Sequence, residues 1–162
     1  MNIPQNVLDE ILTRLKAKKV LKEEIIQNLW SDFGKIVRLH LDSKEHPTVV
    51  LKFINPPKVL NHPRGWNSNI SHQRKVNSYA YEENFYKYFS SICNKDSYST
   101  VPNYLGTINN KSTSCLLLED LNGKSFNQMK ISIELKEAKL CINWLANFHA
   151  KFLNHQSIKV WE

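Results

Sequence analysis

Lys52 stands in the middle of an apolar run, Thr48-Val49-Val50-Leu51-Lys52-Phe53-Ile54. An ammonium there loses solvation unless an anion or a carboxylate meets it. The bland alternative is a lysine on the solvent face of an edge strand, and by residue type alone that reading carries more weight. A second pair of charges follows about thirty residues on. Glu82 and Glu83 fall among Val76, Tyr79, Tyr86 and Phe89, which recur at helical spacing. At least one carboxylate therefore lies on or beside an apolar stripe. It is either a solvated residue at the stripe's margin or a partner for Lys52.

Two further stretches have chemical potential. Ser31-Asp32-Phe33-Gly34 is a turn-like set of small and polar residues around one aromatic. It could cover an anion through its backbone, or serve as a plain hairpin turn. Leu116-Leu117-Leu118-Glu119-Asp120-Leu121 is an apolar strand that exits into two acids. Its backbone could pair with the edge of a planar base, although a strand ending in a polar loop is equally ordinary. A strand lysine paired with a glutamate from the next helix is how kinases hold the α- and β-phosphates of ATP. No GxxxxGK[ST] loop occurs.

These groups need elements to position them. Val7, Leu8, Ile11, Leu12 and Leu15 predict an amphipathic helix over 5–19. Ile25, Ile26 and Leu29 lead into the turn at Ser31. Val37, Leu39 and Leu41 alternate with Arg38 and His40, which predicts a strand over 36–41. Residues 48–54 form the third strand of a meander. Residues 55–70, with Pro56, Pro57 and Pro63, read as a loop. Ser71 is a candidate N-cap for a helix over 72–92. Strands near 104–108 and 113–118 are joined by a turn at Asn109, Asn110 and Lys111. Ser132 is a candidate cap for a last helix with Leu135, Ala138, Cys141, Leu145, Phe148 and Phe152 on its stripe. Five strands with one helix inserted after the third give an α+β class.

Composition narrows the partners. Of 162 residues, 41% are hydrophobic and 23% charged, which suits a folded domain. The net charge of +7 comes from scattered lysines with no long basic block, so a nucleic-acid module has little support. Cys93, Cys115 and Cys141 form no Cys-x-x-Cys pair, and no histidine pair is spaced for a metal. A reducing cytoplasm is expected, with neither a secretory leader nor a membrane span.

The order of these features is more specific than any one of them. SHQRKVNSYAYEENFY (71–86), HPRGWN (62–67), LLLEDL (116–121) and WLANFHAKF (144–152) resemble the choline-kinase-like branch of the aminoglycoside phosphotransferase superfamily, which includes ecdysteroid-kinase-like proteins. LWSDFGKIVRL (29–39) and VVLKFI (49–54) fit that family's first three strands. The resemblance covers nearly the whole chain, with RKVNSYAYEENFY its most specific part.

The resemblance implies a protein-kinase-like N-lobe over 1–121, a five-stranded antiparallel sheet with one packed helix. Residues 122–162 would then be the linker and first helix of a truncated C-lobe. It implies ATP as the bound nucleotide, with Lys52 contacting its phosphates. Glu82, four after Ser78 of the Ser78-Tyr79 pair, would be the partner of Lys52. Ser31, Asp32, Phe33 and Gly34 would cover the phosphates, and Glu119, Asp120 and Leu121 would receive adenine through their backbone. The family's His-Gly-Asp catalytic loop and its magnesium ligands are absent, because they would lie beyond Glu162. The chain alone is therefore expected to bind nucleotide without transferring a phosphoryl group. A small-molecule acceptor is expected only if a C-terminal lobe is supplied. The apolar face of the last helix would favour self-association. The alternative is a non-catalytic kinase-like remnant that serves as an interaction module.

Overall fold

Alternation along residues 34–41 and 48–54 gives one sheet two unlike faces, and the rest of the chain is arranged around that division. The computed structural model describes residues 2–56, 69–96, 98–110 and 113–153. Its elements run α1 (Gln5–Arg14), β1 (Val20–Asn28), β2 (Gly34–Leu41), β3 (Thr48–Ile54), α2 (Asn69–Cys93), β4 (Tyr104–Asn109), β5 (Ser114–Glu119) and α3 (Leu135–Phe152). Single 3-10 turns occupy Trp30–Asp32 and Leu121–Lys124. The class is α+β, and the five strands form one antiparallel sheet in the order β1-β2-β3-β5-β4. After α2 the chain re-enters at the far edge as β4 and turns back, so that β5 lies against β3.

The closed face carries the core. Val37, Leu39 and Leu41 of β2, Val49, Leu51 and Phe53 of β3, and Cys115 and Leu117 of β5 are buried there. Val7, Ile11 and Leu15, spaced four apart along α1 and its C-terminal end, seal them. Each such side chain contributes about 1.5–3 kcal/mol on burial. The same strands present Ile36, Arg38, Val50 and Lys52 to the opposite face, where none of the four is fully buried.

Local forces moved several boundaries from where the sequence placed them. The first helix stops at Arg14, not residue 19. Lys16 turns to a φ of 53°, and the amides of Lys18 and Lys19 donate to Asp42 Oδ1 at 2.7 and 3.0 Å, which draws the chain out of the helix and into β1. Ser71 lies within α2 (Asn69–Cys93) rather than at its cap. α3 opens at Leu135 on a Glu134–Glu137 capping box, and Ser132 takes no part in it. The β4–β5 turn closes through Asn110 N–H donating to the Thr113 carbonyl at 2.8 Å; Lys111 lies outside the described residues. Pro57, Pro63 and the rest of the 62–67 stretch also lie outside them.

The stripe expected on α3 is only half used. Phe148 and Phe152 pack on Phe85 of α2 with ring centroids 5.6 and 6.3 Å apart, and Trp144 stacks on Phe148. Leu135, Cys141 and Leu145 of the stripe are exposed, while α3 meets α2 through its C-terminal, aromatic part. Lys151 completes the join by bonding Asp96 and the Cys93 carbonyl at the C-terminal end of α2. Among the described residues no helix is long and apolar enough to cross a membrane.

Candidate functional site

The open face is organised around Lys52. Its register places Ile36 of β2 on one side and Leu116 of β5 on the other, with Val50 two residues back on the same face. The ammonium therefore projects from an apolar floor. α2 supplies its partner: Lys52 Nζ donates to Glu82 Oε2 in an ion pair whose side chains are 14% and 33% exposed. Of the two candidate glutamates, Glu82 makes this contact. Tyr79, one turn earlier, lies beneath the cation, with Nζ 4.9 Å from the ring centroid. Burial, with a smaller contribution from the Glu82 charge, pushes the Tyr79 phenol up to about 12, so it stays protonated at neutral pH.

The turn predicted at 31–34 adjoins this pair. Ser31 and Asp32 lie in the 3-10 turn, and Asp32 adopts a φ of 54°. Phe33 is buried, with its ring 6.1 Å from that of Tyr79. Gly34 has a φ of 135°, and a Cβ there would sit 2.0 Å from the Phe53 carbonyl oxygen. Only glycine lets the turn lie this close to β3. Two backbone bonds pin it: Leu29 N–H to the Gly34 carbonyl and Asn55 N–H to the Phe33 carbonyl, each 2.8 Å.

Glu119, Asp120 and Leu121 lie at the other end of the same face. Asp120 is four residues beyond Leu116, the neighbour of Lys52, or about 13 Å along a strand rising about 3.3 Å per residue. The side chains of both acids are committed. Glu119 accepts from the Asn103 backbone and side chain and pairs with Lys124. Asp120 accepts from Arg38 Nε at 2.7 Å and from the Asn122 amide at 3.1 Å. Burial pushes the Asp120 carboxyl up, but bonds from Arg38, the Asn122 amide and Thr48, together with the Arg38 charge, hold it below the ordinary value. The Leu121 carbonyl accepts from the Ser125 and Phe126 amides. The Glu119 amide also donates, to the Asn103 carbonyl at 2.9 Å. Beyond Arg38 the face opens into a groove of about 370 Å³ lined by Glu24, Ile25, Arg38, Asn122, Phe126 and Met129.

The structure thus brings Lys52, Glu82 and Phe33 into one cluster through Tyr79 and sets Glu119, Asp120 and Leu121 apart from it. Reasoning from sequence missed the Arg38 network, in which Arg38 also donates to Glu24 Oε1 at 2.8 Å. The available signal was an arginine alternating with apolar residues on the strand beside that of Lys52. Among the described residues no group of three His, Cys, Asp or Glu side chains is arranged to hold a metal. No protein-family model matches the chain, and no curated protein matches it.

Proposed function

We propose that the open face binds ATP and that the chain is the nucleotide-holding part of a small-molecule kinase of the choline-kinase-like type. The observation that carries this reading is the Lys52–Glu82 pair on a half-open apolar floor beside a glycine turn. A carboxylate behind the lysine fixes where the ammonium points, and a cation so fixed suits the oxygens of a phosphate. The purine would lie towards Glu119, Asp120 and Leu121, the polyphosphate towards Lys52 and the turn. Such a sheet with its packed helix is compatible with a kinase-like N-lobe. The 162 residues hold no His-Gly-Asp run, and nucleotide binding is the activity proposed for them.

Calorimetric titration with Mg-ATP tests the reading. Lys52→Ala is expected to weaken binding at least tenfold, about 1.4 kcal/mol, while the melting curve stays cooperative. Equal affinity in the two proteins overturns the site and leaves the interaction-module reading in its place.

A further inference from the structure

Lys75 lies on the inner side of α2, and its surroundings differ from those of Lys52 in β3. Its ammonium donates to the Trp30 carbonyl and stands 4.2 Å from the centroid of the Phe33 ring. No carboxylate among the described residues forms an ion pair with it, whereas the charge of Lys52 is met by Glu82. Phe33 is in turn flanked by His72 and Tyr79, at centroid separations of 5.5 and 6.1 Å. Three successive rungs of one helix face, His72, Lys75 and Tyr79, therefore grip Phe33 of the turn. Burial holds the Lys75 ammonium below the ordinary lysine value.

A cation satisfied by a carbonyl and a ring face is well placed sterically, yet its charge is not cancelled. The two lysines divide the work: one faces the apolar floor, and the other holds down the turn at its edge. We infer that Lys75 is a positioning residue that clasps the turn at residues 30–34 to α2, setting the height of the turn over the phosphate end of the nucleotide. This inference rests on the ATP reading of the open face. It predicts that affinity for phosphate-bearing nucleotides depends on Lys75, while affinity for the nucleoside does not.

The test uses the full chain with Lys75→Met and Lys75→Arg. Residue-resolved hydrogen exchange without ligand reads the clasp directly. In Lys75→Met the Leu29 and Asn55 amides, which bond to the turn, are expected to exchange about tenfold faster, with Val37 and Leu51 unchanged. Lys75→Arg keeps the charge and should restore most of the protection. In parallel, Lys75→Met should lose about tenfold in affinity for ATP and bind adenosine like the parent. Unchanged exchange at Leu29 and Asn55 overturns the clasp. Faster exchange with ATP affinity intact, or with ATP and adenosine weakened alike, overturns the positioning role. A parent chain that binds no ATP while exchange still responds to the substitution overturns the nucleotide site itself, and the positioning role with it.

Discussion

Leu51 and Lys52 are neighbours in β3, yet Leu51 is sealed under α1 while Lys52 looks out over a half-open floor. The same contrast separates Val37 from Ile36 in β2. A strand pleat reverses side-chain direction at each residue, so two environments share one backbone. On the closed face α1 supplies apolar partners for every layer. On the open face the partners are charged: Glu82 for Lys52, and Asp120 with Glu24 for Arg38. The apolar core lies on the closed face, and the part-buried ion pairs lie on the open one. Stability and binding should therefore respond to different substitutions.

The largest effect is expected on the closed side. Ile11→Ala removes a fully buried side chain from the centre of the α1 seal and should cost about 2–5 kcal/mol. Chemical denaturation reads this as a lower midpoint with little change in slope. ATP affinity per folded molecule should be unchanged, and a loss of affinity at full folding would blur the division between the faces.

The next effect is on the open side and depends on pH. The folded-state pKa of Asp120 lies below its unfolded value of about 3.9. Its contribution to stability is therefore present above that value and lost as pH falls through the folded pKa. The difference in urea midpoint between the parent and Asp120→Asn should be largest near neutrality and shrink below about pH 4. A difference that is constant from pH 7 to pH 3 would remove Asp120 from the acid limb. The smallest effect belongs to the proposed site. Lys52→Ala should change stability by about 1 kcal/mol or less, since Glu82 keeps one third of its side chain in solvent.

The parts of this arrangement that sequence conveyed are those set by local periodicity. The alternation in 36–41 and 48–54 gave both strands, and the Val76-Tyr79-Tyr86-Phe89 spacing gave the inner side of α2. What it did not convey depends on partners distant in the chain. Asp42 ends α1 from more than twenty residues away, and Arg38 finds Asp120 across 82 residues. The position of β5 between β3 and β4 is likewise a matter of pairing, not of pattern. Spacing left Glu82 and Glu83 open because a step of about 100° keeps both near the stripe. The structure shows that Glu82 is the one that reaches the lysine. Lys75 reads as one more surface lysine until the turn is seen packed against it.

A double-mutant cycle on ATP affinity tests the central claim most directly, using the parent, Lys52→Ala, Glu82→Ala and the double variant, each confirmed folded. If Glu82 acts by positioning the Lys52 ammonium, either single substitution weakens ATP at least tenfold, and the double variant is little worse than Lys52→Ala alone. Additive losses, or a Glu82→Ala protein that binds ATP like the parent, would contradict the account.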